Sequence, residues 1–444
     1  MIATVYPSPL KGEINAIPSK SHAHRLLICA ALSEGVTEII CPSSSEDIDA
    51  TVSCLKALGA EVIRGEKGFT VTGIGRKIRA ESGFVLNTSP TGILLDCGES
   101  GSTYRFLLPA ACAVLTLINK NCEKHNEIDF RLRGRLPQRP MEPLFSVLES
   151  HGIQINGKGS DTVSVSGSLS GEVFSVPGNI SSQYISGLLF ALSILSGERR
   201  IEITGSTESE GYIDMTVNAL RQFGADIDSH ENTLVVKSSS RLSSPGTVTA
   251  EGDWSNSAFW ISSAALSGEH IICRGLSGNS VQGDRAICDI MKKSGALIEN
   301  TDSSVSCKGN GLTEINVNVS QTPDLVPAIA AAAVYASGRT VIFGGERLRL
   351  KESDRLASVS DVLKKLGADI NQTPDGLEIF GKKSLDGGTV DSWGDHRIAM
   401  MAAIVSTRCR HPVVIKNAQA VKKSYPDFWK DFSSLGGTVE EENI

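Results

Sequence analysis

Apolar positions along this chain fall into helical spacing, break at a glycine, and resume as short strand-like runs. One phrase carries this pattern and returns six times. It reads CLKALGAEV at 54–62, VLESHGIQI at 147–155, ALRQFGADI at 219–227, IMKKSGALI at 290–298, VLKKLGADI at 362–370 and, more loosely, FSSLGGTVE at 432–440. Each is the end of an amphipathic helix, a glycine at or just past the C-cap, then a strand. Glycine suits that place because it takes the left-handed cap conformation cheaply. The glycines are 59, 152, 224, 295, 367 and 436; by subtraction the last four intervals are 72, 71, 72 and 69 residues and the first is 93. The spacing predicts one structural unit used six times, with an insertion in the first interval. A unit of about 70 residues has room for two helices and three or four strands. So long a period favours compact lobes of three units over a rod.

A second pattern concerns helix starts. Leu356, Val359, Leu363 and Leu366 recur at helical spacing, directly after RLRLKESDRL at 347–356. Four cations, Arg347, Arg349, Lys351 and Arg355, therefore crowd a helix N-terminus, the end that favours anions. Lys351 and Arg355 stand four apart, where like charges repel. Other helix starts share the oddity. PSKSHAHR at 18–25 brings Lys20, Ser21 and Arg25; GESGSTYR at 98–105 brings small and hydroxyl residues with Arg105; NISSQY at 179–184 brings Ser181, Ser182 and Gln183; GDHR at 394–397 brings Asp395, His396 and Arg397. A helix N-terminus offers free N–H donors to an anion. Added cations make sense if a bound anion is shared among them. Taken singly, a serine there is an ordinary cap, and Pro323–Asp324 ahead of LVPAIAAAA reads equally well as a helix cap.

Bulk properties narrow the partners. The 444 residues are 40% hydrophobic and 21% charged, with a net charge of −7. That balance argues against a general nucleic-acid binder and requires any anion site to be a local cluster in an acidic body. Ten cysteines are scattered without a CxxC pair, as expected of reduced core thiols in a cytoplasmic protein. The N-terminal stretch has neither an apolar signal core nor a transit character. No run reads as approaching the roughly 18 apolar residues of a membrane span. The eight histidines show no metal-ligand spacing, so no metal and no cofactor is expected. There is no GxxxxGK[ST] phosphate loop, and GKGSDTVSVSGSLSGE at 157–172 reads as hairpin surface.

Taken together and in order, PSKSHAHR, GESGSTYR, SSQY, SEGYID at 209–214, PD at 323–324, LKESDR at 350–355, GDHR and VKKSYPDFW at 421–429 resemble the 5-enolpyruvylshikimate-3-phosphate synthase family of enolpyruvyl transferases. The resemblance runs nearly the whole length. It implies an α/β fold of two lobes, each of three similar βαβαββ units, with the active site in the cleft between them. Residues 19–249 would form one lobe, and 1–18 with 250–444 the other. The implied substrates are shikimate 3-phosphate and phosphoenolpyruvate, both anionic, handled by a cytoplasmic monomer without nucleic acid or membrane. By the resemblance, Lys20, Ser21, Arg25, Ser181, Ser182, Gln183, Ser209, Tyr212, Asp324 and Lys351 would hold shikimate 3-phosphate. Lys20, Gly101, Arg135, Gln183, Arg355, Arg397 and Lys423 would hold phosphoenolpyruvate. Asp324 would handle the substrate hydroxyl and Glu352 the methylene carbon, with Lys20 assisting. A carboxylate fits either role once its surroundings tune it, although Lys351 and Arg355 tend to keep Glu352 ionised. Two positions depart from the family pattern: Glu99 stands where many relatives carry Asn, and Phe106 where a smaller residue is common. A sister family acting on UDP-N-acetylglucosamine uses a loop cysteine, and Cys112 and Cys122 lie near that region. A non-catalytic anion-binding protein on the same repeats is the other alternative.

Overall fold

The computed structural model describes residues 1–79, 92–119 and 126–442. They divide into two compact units, Lys20–Ala250 on one side and Met1–Ser19 with Glu251–Ile444 on the other. Six four-stranded sheets are present among the described residues, three in each unit. All six share one plan, a parallel pair extended by two antiparallel neighbours. In one of them Ile93–Gly98 runs parallel to Glu127–Leu132, which is flanked by Thr162–Gly167 and then Ile153–Asn156, both antiparallel. With their intervening helices these strands make a βαβαββ unit. The six repeat glycines all close helices in the left-handed conformation, with φ between 88° and 103°. The period read from the chain is thus the period of the fold.

Three sheets are completed by strands from distant parts of the chain. Ile2–Tyr6 lies between Val413–Lys416 and Thr438–Glu442, antiparallel to both. Gly12–Asn15 runs parallel to His270–Arg274, and Thr247–Thr249 parallel to Val36–Ile40. These last two strands precede the points where the chain passes from one unit to the other. Just beyond them, Ser19 N donates to Glu251 O at 2.7 Å and Asp253 N to Ile17 O at 2.8 Å.

Each unit has one continuous apolar core. Strands alternate buried and exposed residues, but several helices are buried almost all round: Gly101–Asn119, Ser182–Leu192, Trp254–Ser267, Val326–Ala333 and His396–Ser406. A helix apolar on every face belongs inside a core. This corrects one expectation. Gly101–Asn119 is long and apolar enough to cross a membrane by length and composition, yet 89% of its most apolar stretch is buried inside the protein. Interior packing accounts for its character. The nine described cysteines are likewise buried and unpaired; Cys122 lies outside the described residues.

Candidate active site

In the Lys20–Ala250 unit, the expected residues sit at helix starts, as the sequence requires. Lys20 opens the helix Lys20–Leu32 and its Nζ pairs with Asp47 Oδ2 at 2.7 Å. Arg25, one turn on, is 1% exposed. Its Nη1 donates to Ser21 O at 2.6 Å, its Nε to Thr216 Oγ1 at 2.7 Å and its Nη2 to Tyr212 O at 2.9 Å. The guanidinium also lies 4.9 Å from the Phe106 ring centre, a favourable placement for a cation. Each of these partners is neutral. Burial pushes the Arg25 group down to about 10 from its ordinary 12.5, which Tyr212 and Cys29 offset only in part.

A second cluster surrounds the start of Gly101–Asn119. Arg105 Nη1 donates to Gln183 Oε1 at 2.9 Å, its Nη2 to Pro140 O at 3.2 Å, and Gln183 Nε2 donates to Ser102 Oγ at 3.0 Å. Ser181 caps Ser182–Leu192 by accepting from Gln183 N. Gly101 leaves room for two guanidiniums: a Cβ there would come within 2.7 Å of Arg139 Nη1, which would have to shift, and 3.4 Å of Arg105 Nη1. Arg135 is exposed and precedes the short turn Leu136–Gln138. Glu99 lies against Gly134, where an added Cβ would meet its Cδ at 2.6 Å. Ser209 caps Glu210–Gln222 with φ 57° and is 4% exposed. A serine held left-handed in a buried turn is a local strain of about 1–3 kcal/mol that its surroundings must sustain.

The other unit assembles a charge network. Arg355, 2% exposed, donates to Asp324 Oδ1 at 2.7 Å, Glu352 Oε2 at 2.6 Å and Asp395 Oδ2 at 2.8 Å. Asp324 also faces Lys351 Nζ at 3.4 Å and Arg397 Nη2 at 3.1 Å. Asp395, fully buried, caps the helix His396–Ser406 and accepts from Arg397 N at 3.0 Å and Ser353 Oγ at 3.1 Å. His396 is buried beside it, its Nδ1 3.7 Å from Asp395 Oδ1. Lys423 Nζ donates to Gly394 O at 2.9 Å. Burial alone would raise the Asp324 carboxyl, but Arg397, Lys351 and Arg355 together hold it well below the usual carboxylate range. Burial lowers the Lys351 ammonium; Asp324 and Glu352 act against this, Arg355 and Arg347 with it.

A family model described as EPSP synthase (3-phosphoshikimate 1-carboxyvinyltransferase) matches residues 5–432. The chain belongs to the EPSP synthase family. It is 41% identical over 446 residues to the 3-phosphoshikimate 1-carboxyvinyltransferase of Clostridium novyi, covering 98% of each. It is 42% identical over 440 residues to that of Clostridium perfringens (strain 13 / Type A), covering 99% of each. The EPSP synthase of Acinetobacter baumannii shares its structure with a TM-score of 0.79 at 26% identity, over 99% of this chain and 100% of that one. The enolpyruvyl transferase NikO from Streptomyces tendae, with a TM-score of 0.76 at 17% identity over 100% and 99%, shares the fold alone. The α/β architecture of two lobes with three similar units each is the expected one, and the chain is a transferase by family.

Several partners of these residues were not singled out in the sequence: Asp47 pairs with Lys20, Thr216 accepts from Arg25 and Ser102 accepts from Gln183. Asp395, noted there only at a helix start, is with Arg355 the hub of the second unit's network. Its place as an N-cap is legible in the sequence, but its tie to Arg355 is not. Cys112 does not offer a reactive thiol: it is fully buried, and burial pushes its group up to about 12.

Proposed function

We propose that this chain transfers the enolpyruvyl group of phosphoenolpyruvate to the 5-hydroxyl of shikimate 3-phosphate and releases phosphate, through a tetrahedral adduct. The observation that carries this reading is the Arg355 network, in which three carboxylates, Asp324, Glu352 and Asp395, gather with Arg355 and two further cations, Lys351 and Arg397, in a chain of this family. Lys20, Ser21, Arg25, Ser181, Ser182, Gln183, Ser209 and Tyr212 serve shikimate 3-phosphate, with Asp324 and Lys351. Gly101, Arg135, Arg355, Arg397 and Lys423 serve phosphoenolpyruvate, with Lys20 and Gln183.

Asp324 takes the proton of the attacking hydroxyl, and Glu352, with Lys20 assisting, gives and later recovers the proton at the methylene carbon. A carboxylate held as low as Asp324 is a poor base in the empty protein. Anionic substrates supply the remedy: as Arg397, Lys351 and Arg355 turn part of their charge onto phosphoenolpyruvate, Asp324 rises toward the usual range. The base is thereby strengthened when its substrate is present. The same cations stabilise the negative charge that builds up on the departing phosphate.

Phosphate release from phosphoenolpyruvate, measured separately with shikimate 3-phosphate and with UDP-N-acetylglucosamine, tests the reading. Release only with the former is expected. Release only with the latter would assign the sister reaction, which the buried Cys112 disfavours; binding without release would make this an anion-binding protein. We further propose a cytoplasmic monomer, supported by the buried unpaired thiols, for which light scattering should give about 47 kDa.

A further inference from the structure

The turn entering Asp395 holds a tryptophan in a conformation tryptophan avoids. Asp395 N donates to Ser392 O at 2.9 Å, closing a four-residue turn whose two central residues, Trp393 and Gly394, have φ of 57° and 65°. Such turns take Asn, Asp or Gly at both central places. Glycine fits the second. A bulky residue in the first is an outlier, at a cost of about 1–2 kcal/mol. Burial does not compensate: Trp393 is 52% exposed, whereas Trp254, Trp260 and Trp429 are at most 4% exposed.

Hydrogen bonds hold the turn instead. Trp393 N donates to Asp391 Oδ1 at 2.7 Å, and Asn417 Nδ2 braces the same carboxylate at 3.0 Å. The indole Nε1 donates to Asp361 Oδ2 at 3.2 Å. Asp361 lies on the helix Arg355–Lys365, which begins with Arg355. The turn in turn presents Gly394 O to Lys423 and delivers Asp395 to Arg355 and Arg397. The two helix starts that carry Arg355 and Arg397 are thus joined twice: inside through Arg355 and Asp395, outside through Trp393 and Asp361.

We propose that Trp393 is a positioning residue for the phosphoenolpyruvate side of the site, its indole latching the strained turn to the Arg355 helix. The inference rests on the function proposed above. Trp393→Gly and Trp393→Asn suit the left-handed turn and remove the latch. Both should leave the thermal midpoint unchanged or higher while raising KM for phosphoenolpyruvate at least fivefold, with KM for shikimate 3-phosphate within twofold. Asp361→Ala should show the same split more weakly, and the double variant should be no worse than Trp393→Gly alone. An unchanged phosphoenolpyruvate KM, or both KM values rising together while the midpoint falls, overturns the proposal. A readout independent of turnover keeps it apart from the function itself. Trp393 is the one exposed indole, so Asp361→Ala should increase acrylamide quenching of tryptophan emission about twofold; unchanged quenching would mean that Asp361 does not hold it. An inactive wild-type chain with intact quenching behaviour would reject the reaction and leave the latch standing.

Discussion

Arg25 and Arg355 are both buried arginines at helix starts, and they are held in opposite ways. Arg25 is surrounded by carbonyls, hydroxyls and ring faces, so its charge meets no carboxylate among these contacts with the described residues. The fall from 12.5 to about 10 marks an environment unfavourable to the charged form by about 3 kcal/mol. Arg355 is surrounded by Asp324, Glu352 and Asp395. Burial works against its charge too, yet those carboxylates raise its group above the ordinary value. The first arrangement leaves positive potential for a ligand to use. The second spends it on fixing three carboxylates, two of which, Asp324 and Glu352, are the proposed proton-handling groups. Placing a cation at a helix start therefore does not by itself define a receptor; its neighbours decide.

The comparison breaks most visibly at Arg355. Arg355→Met should strand three carboxylates and cost about 3–5 kcal/mol, seen as a large drop in thermal midpoint together with loss of turnover. A small change in midpoint would mean that the network is not what holds this region. Next come the proton-handling groups. Glu352→Gln should keep substrate binding and lower kcat about 100-fold or more, the usual scale for lost acid–base help; full turnover would remove Glu352 from the mechanism. Arg25→Lys, which cannot reproduce the three-way fork, should weaken shikimate 3-phosphate about tenfold and phosphoenolpyruvate far less. Gly101→Ala should displace Arg139 and weaken phosphoenolpyruvate several-fold, more than shikimate 3-phosphate; equal losses would contradict this.

The smallest effect concerns acid. Asp324 is depressed in the folded chain, so it adds stability that is complete above the ordinary carboxylate value and is lost as pH falls through the lower native one. Its contribution should therefore survive to below about pH 4. Following the acid transition by circular dichroism, Asp324→Asn should move the onset upward; no movement would show that Asp324 is not coupled to folding.

Much of this could be read beforehand, for specific reasons. The six-unit architecture showed because Gly59, Gly152, Gly224, Gly295, Gly367 and Gly436 each need a left-handed backbone that other residues resist. The cations showed because they stand at the end of a helix where they are disfavoured. Their partners did not. Asp395 is indistinguishable from a cap until Arg355, 40 positions earlier, is seen to reach it. Likewise no local pattern assigns Thr247–Thr249 to Val36–Ile40, because strand pairing leaves no trace of its partner in the strand. The expectation that no run approaches membrane-span length failed at Gly101–Asn119, because the interior position that makes this helix apolar all round is set by packing partners far along the chain.

The strand Ile2–Tyr6 imposes an order of events during synthesis. Its two neighbours, Val413–Lys416 and Thr438–Glu442, are made only after Lys20–Ala250 is complete. At roughly 5–20 residues per second, this apolar strand waits roughly 20 to 90 s for its sheet. Lys20–Ala250 has all three of its sheets long before. Ile2–Tyr6 is thus paired long after it is made, and a nascent chain stalled near residue 400 should carry one finished unit and one exposed, unclaimed strand.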